Sequence, residues 1–330
     1  MEVFKCSMGF GLSSAERHLA REKRAISQEM PRRITGKMSV PRYFDGLDNR
    51  LVVPPTSTKR LVFQHSSAIS VNQYSQWLPV MVMSDKQAEF LRSQAAYFRD
   101  ADTRRFLWMT QNPYFSSEER QLLGLLNELQ PSRLLEVGCG EGANLFNLDY
   151  QPPLAVGIDL FEERCRFAQR QCPAARFICS DAYQLPIQGN SFDLVFCRDL
   201  LHHVLDKKRL LQEMIRACRL NGRVACIEAC GRNPVIATFA MAVRAERGLL
   251  RCNASVFVAL FREAGLVDVG IQMYQPMPVH RVILHPSYGF PSLGARRWYR
   301  AWAKPFDRLC ARIVPKRYWA YAVVSGRKPG

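Results

Sequence analysis

Three glycines at alternate positions, Gly138, Gly140 and Gly142, follow directly on the apolar run Leu134, Leu135 and Val137. A short apolar run that stops at glycine reads as a buried strand turning into a helix. Without a Cβ the backbone turns sharply there and lets a ligand approach closely. Amides at the following helix start then face the crevice, as in nucleotide sites.

From residue 133 onward strands and helices alternate. Apolar runs at 134–137, 154–159, 175–181, 191–199 and 223–229 read as strands, with helices between them and a turn at Asn221-Gly222. Short connections and this alternation predict a doubly wound parallel sheet, with ligands at the carboxyl ends of its strands. The strand ends carry polar residues: the glycines, then Asp159, Asp181, Arg198-Asp199 and Glu228. Asp159 lies 21 positions after Gly138, a spacing that suits a carboxylate on ribose hydroxyls better than a simple helix N-cap. A dinucleotide fingerprint would space its glycines G-x-G-x-x-G, whereas this chain has G-x-G-x-G.

Composition narrows the class. The chain has 330 residues, 48% of them apolar, enough for a sizeable core. No apolar run reaches the roughly 18 residues of a membrane span, and no apolar stretch near the start resembles a signal peptide. The eleven cysteines include no C-x-x-C pair and read as reduced core residues, which leads us to expect a cytoplasmic protein. Net charge is +17, but residues 131–230 carry 12 basic and 12 acidic side chains while residues 231–330 carry 16 and 4. A neutral glycine-loop region argues against nucleic acid as the substrate.

Residues 1–80 show no lasting period and read as a disordered or weakly ordered leader; a start of translation near Met81 or Met83 is an alternative. Capping-box spacings at Ser84-x-x-Gln87 and Ser116-x-x-Glu119 predict two helices before the first strand. NPYF at 112–115 reads as an Asn-Pro turn.

Three stretches, LLEVGCGEGANL (134–145), DAYQLPIQGNSFDLVFCRDLLHHV (181–204) and LLQEMIRACRLNGRVACIEA (210–229), resemble class I S-adenosylmethionine-dependent methyltransferases, in the group of quinone-biosynthesis and small-molecule methylases. The resemblance implies a Rossmann-like, doubly wound, mostly parallel seven-stranded sheet. It assigns Glu136, Gly138, Gly140 and Gly142 to the methionine-side loop and Asp159 to the ribose. Asp181 and the Ala182 amide would hold the adenine, and Cys197 with Arg198 the methionine end. The cofactor implied is S-adenosyl-L-methionine and the acceptor a small molecule. An RNA methyltransferase and a non-catalytic binding subunit are the alternatives.

Catalysis would then need only alignment and removal of an acceptor proton. His202, His203 and Asp199 follow strand four and are the candidates; the family's matching histidine falls at His203, which serves either as a base or as a packing residue. Neighbouring His202 and His203 have no carboxylate at ligand spacing along the chain, so no metal is expected. The absence of an Asn/Asp-Pro-Pro-aromatic box after strand four favours methylation at oxygen or carbon.

In the last third, LVDVGIQMY (266–274) and YWAYAVVSGR (318–327) read as the last two strands, separated by an insertion at 276–317 that suits a substrate lid. Within it Trp298, Trp302, Phe306, Leu309 and Ile313 recur at helical spacing among arginines, with Pro305 expected to kink or divide the helix. A basic amphipathic segment at 293–313 suits peripheral contact with an anionic membrane.

Overall fold

The computed structural model describes residues 85–330. The expected leader at 1–80 and the cap at Ser84 lie outside the described residues.

Seven strands form one sheet in the order β3-β2-β1-β4-β5-β7-β6. They are β1 (Arg133–Val137), β2 (Leu154–Asp159), β3 (Arg176–Cys179), β4 (Phe192–Arg198), β5 (Cys218–Ala229), β6 (Val267–Tyr274) and β7 (Tyr321–Arg327). The first five run parallel, and β7 lies antiparallel between β5 and β6. Strand order reverses between β1 and β4, which opens the crevice of a doubly wound sheet at their carboxyl ends. This is the Rossmann-like, doubly wound, mostly parallel seven-stranded sheet expected from the sequence.

Both faces of the central strands are buried, which is why they read as continuous apolar runs. Leu135, Val137, Val195, Cys197, Val224 and Cys226 pack on one face, beneath α7 (Lys207–Ala217) and α9 (Ala254–Glu263). Leu134, Leu194, Phe196, Ala225 and Ile227 pack on the other. There they meet α4 (Gly124–Leu129) and α8 (Pro234–Ala242).

Three local expectations differ from the structure. Among the described residues four helices precede β1, not two: α1 (Asp85–Phe98), α2 (Thr103–Gln111), α3 (Phe115–Leu122) and α4. Ser116 lies buried inside α3, whose N-cap is Tyr114 with no side-chain cap bond, so Ser116 and Glu119 form no capping box. The Asn-Pro turn does form, with Asn112 Oδ1 accepting from Phe115 N at 3.1 Å. Asn221-Gly222 does not end a segment: β5 starts at Cys218 and runs through them, with Asn221 at φ +58° and a register shift against β4.

Between β6 and β7 lie α10 (Val279–Ile283), a 3-10 turn at 291–295 and α11 (Arg297–Ile313). Pro305 sits inside α11 without dividing it. The helix is held on both sides of the proline, by Tyr299 and Ala303 packed on Tyr114 and Phe115 and by Tyr114 O–H donating to Asp307 Oδ2. Among the described residues no helix is long and apolar enough to cross a membrane.

Candidate functional site

The glycine loop is left-handed at three positions, with φ +75° at Gly138, +53° at Gly140 and +78° at Gly142. Only glycine adopts these angles without strain. Gly138 N and Cys139 N donate to Ile158 O, and Gly140 N donates to Asp159 Oδ2 at 2.8 Å, so the end of β2 ties the loop down. The helix that follows, α5 (Ala143–Phe146), is a single turn, so the loop itself rather than a long helix dipole shapes the crevice.

Asp159 is buried, and its other oxygen accepts from Phe161 N at 3.1 Å. It caps no helix; it braces the loop, with lone pairs left over on both oxygens. Asp181 is half-buried and accepts from Tyr183 N at 2.8 Å, with Ala182 half-buried beside it.

Two expected cofactor contacts point elsewhere. Glu136 is fully buried and accepts from Asn144 Nδ2 at 2.5 Å, while its second oxygen has no partner. Burial outweighs that hydrogen bond and the Arg198 charge and pushes its carboxyl up to about 8. Cys197 turns its sulfur into the core, 3.3 Å from Cys226 Sγ, because alternation along β4 sends it to the face opposite Arg198.

Arg198 is buried, and its guanidinium binds Asn144 Oδ1 at 2.9 Å and the carboxylate of Glu119. Glu119 also accepts from Arg281 Nη2 at 2.5 Å, and Arg281 lies 4.3 Å over the ring of Tyr321. Burial works against the Arg198 charge, yet the Glu119 and Asp199 carboxylates raise its pKa above the ordinary value. One buried carboxylate thus joins α3, the end of β4 and the β6–β7 insertion.

Asp199 has φ +49°, an uncommon backbone for a residue with a Cβ. Its Oδ2 accepts from Tyr321 O–H at 3.1 Å and lies 3.5 Å from Arg198 Nε, while its buried Oδ1 has no partner.

The two histidines are opposites. His202 is buried, with Nδ1 2.9 Å from Glu228 Oε2 and Nε2 3.1 Å from Glu246 Oε2. Burial opposes its charge, but the two carboxylates outweigh it and lift the pKa to about 10. His203 packs edge-on against Phe98 at 4.6 Å. Burial, then the neighbouring His202 charge, holds it well below the ordinary value; its Nδ1 has no partner.

Carboxylates do therefore approach these histidines, arriving from β5 and from residues 244–251, where chain spacing gave no sign of them. Two groups, His202/His203/Glu246 and Asp199/His202/Glu228, gather their ligand atoms within 4.8 Å. An imidazolium holding two carboxylates has no lone pair for a metal, so the geometry is that of an ion-paired triad.

A cavity of about 370 Å³ adjoins these groups and is lined by Glu141, Arg164, Arg198, Asp199, His202 and His203. Trp108, Phe115, Phe239, His285, Tyr288 and Tyr321 supply aromatic walls. Asp159 and Asp181 are not part of this lining; they stand farther along the strand ends. Arg164 crosses the glycine loop and pairs with Glu141 through two hydrogen bonds of 3.2 and 2.8 Å. A Cβ on Gly140 would lie 2.6 Å from its Nη2. Burial would raise the Glu141 pKa, but the charges of Arg164 and Arg105 hold it below normal.

The sequence reading missed Glu119, Arg281, Tyr321, Glu246, Glu141 and Arg164. Only Glu119 had stood out, as a supposed cap.

Residues 135–226 match the family model described as a methyltransferase domain. Norajmaline N-methyltransferase of Rauvolfia serpentina is 30% identical over 111 residues, which is 32% of this chain and 38% of that protein. Demethylmenaquinone methyltransferase of Roseiflexus castenholzii is 35% identical over 109 residues, 32% of this chain and 46% of that protein. The chain thus spans less than half the length of these curated relatives. Phosphoethanolamine N-methyltransferase 2 of Haemonchus contortus, solved in complex with S-adenosyl-L-methionine, aligns at 18% identity with a TM-score of 0.49. That alignment covers 68% of this chain and 56% of that one.

Proposed function

We propose that this chain, whose residues 135–226 match a methyltransferase domain, binds S-adenosylmethionine in the β1/β4 crevice and methylates a small, lipophilic acceptor at oxygen or carbon. The observation that carries the reading is the left-handed glycine loop beside an aromatic-walled cavity in which Asp199 Oδ1, His203 Nδ1 and Trp108 Nε1 lack protein partners. The residues fit the cofactor: the loop adopts angles that demand glycine, and Asp159 at the end of β2 keeps lone pairs free on both oxygens. When bound, the cofactor supplies a methyl group activated on a sulfonium.

The loop 138–142, the free lone pairs of Asp159 and the half-buried Asp181 and Ala182 would hold the nucleoside. Glu136 acts one step back, through Asn144, on the position of Arg198. The aromatic walls exclude water and orient an apolar acceptor. Asp199 would take the acceptor's proton at Oδ1, held in place by Tyr321 and Arg198. His203, neutral and packed against Phe98, lines the cavity beside Asp199, and His202 fixes the turn beneath both. The lack of a Pro-Pro-aromatic box after β4 supports oxygen or carbon over nitrogen.

Incubating the protein and labelled S-adenosylmethionine with a lipid extract, a polar metabolite pool and total RNA tests this directly. Mass spectrometry should find the label on an apolar hydroxyl- or carbon-acceptor. Label on RNA or on amines, or none in any fraction, would sink the reading.

A further inference from the structure

α11 presents two adjoining stripes to solvent. Trp298, Trp302, Leu309 and Ile313 are 61, 49, 52 and 68% exposed. Their spacing of four, eleven and fifteen residues puts them on one helix face. The buried contacts of the helix, Tyr299 and Ala303, lie on the neighbouring face, so packing on the domain does not consume the apolar stripe. On the other side of that stripe stand Arg297, Lys304, Arg308 and Arg312, all exposed. The helix's single acid, Asp307, is half-buried and engaged by Tyr114. Trp302 stacks on Phe306 at 5.2 Å, and Phe290, just before the helix, is 69% exposed. Single exposed apolar residues are ordinary; a contiguous stripe with two tryptophans is not.

We propose that this face of α11 docks on an anionic lipid bilayer, with the Trp298–Ile313 stripe at the acyl boundary and the arginines at the headgroups. Charge selects the occupant. A second copy of the chain meeting this face by two-fold symmetry would set arginines against arginines. Nucleic acid would satisfy the arginines but leave Leu309 and Ile313 in water. An anionic bilayer satisfies both stripes, with tryptophan at the interface where it partitions best. The same insertion carries Val282 and Tyr288, exposed residues that also line the cavity.

The inference does not depend on methyl transfer, since vesicle binding requires no cofactor. The test is sedimentation of the full chain with vesicles of phosphatidylcholine, with and without phosphatidylglycerol. Binding should be about tenfold tighter when phosphatidylglycerol is present. The double variant W298S/W302S, at exposed positions that leave the fold intact by circular dichroism, should lose about tenfold in affinity. R308Q/R312Q should lose a similar factor and show a shallower dependence on salt. Equal binding to both vesicle types, or retention of binding in W298S/W302S, would overturn the proposal. A concentration-dependent dimer or RNA retention that disappears in W298S/W302S would do so as well, by identifying a different occupant.

Discussion

The strand-end crevice and the β6–β7 insertion meet at one cavity, yet they are built by different means. The crevice is written in contiguous residues: strand, glycines, and an acid at the end of the next strand. Its polar groups bond to neighbours in the sheet, such as Gly140 N to Asp159 and Asp199 N to Ile227 O. The insertion reaches the cavity through long-range buried charge, Arg281 sharing Glu119 with Arg198 across 162 and 79 residues of chain. The crevice can thus form from local pattern, whereas the acceptor wall depends on a few ion pairs that must all assemble.

The comparison predicts where damage is greatest. Glu119→Ala removes the carboxylate shared by the buried Arg198 and the half-buried Arg281, and removing one member of such a buried pair costs about 3–5 kcal/mol. Denaturant unfolding should show that loss, with the crevice's cofactor affinity falling less than acceptor turnover. Asp199→Asn should leave cofactor affinity intact and reduce kcat by about 10²-fold, as expected for loss of a proton acceptor. A kcat within a factor of two of the parent would remove Asp199 from the chemistry.

Gly140→Ala tests the crevice alone. The left-handed angle costs about 1–2 kcal/mol, and the new methyl group must displace Arg164. Cofactor affinity should fall about tenfold while the Glu119 network, followed by the denaturant response of Glu119→Ala on this background, stays additive.

A smaller effect concerns pH. His202 has its folded pKa raised to about 10, so its contribution to stability is complete below its ordinary pKa and is lost as pH rises through 10. Glu136, raised to about 8, favours the folded state while protonated and loses that advantage as pH climbs from its ordinary range through 8. The midpoint of thermal unfolding should therefore fall between pH 7 and 10. His202→Gln should flatten the upper part of that slope and Glu136→Gln the lower part. An unchanged slope in both variants would contradict the assigned partners.

Much of the sheet was legible because doubly buried parallel strands are runs of apolar residues, and the glycine loop because its backbone angles admit one residue type. Asp159 and Arg198-Asp199 were legible as strand ends. Glu119 was misread because Ser-x-x-Glu carries the same local pattern whether the acid turns back to cap a helix or inward to meet arginines. Cys197 was misplaced by one step of strand alternation, which sends it to the face opposite Arg198. The partners of His202 were invisible since Glu228 and Glu246 lie 26 and 44 residues away and meet it only in the folded chain. Pro305 was expected to kink or divide the helix, and packing on both of its sides keeps the helix undivided.

The central claim, a sulfonium-nucleoside crevice at the β1/β4 switch point, is tested most directly by titration calorimetry with S-adenosylhomocysteine. One molecule should bind per chain, with affinity reduced at least tenfold in Asp181→Ala, whose carboxylate the sheet itself does not need. Absence of binding to the folded parent chain, or equal affinity in the variant, would contradict it.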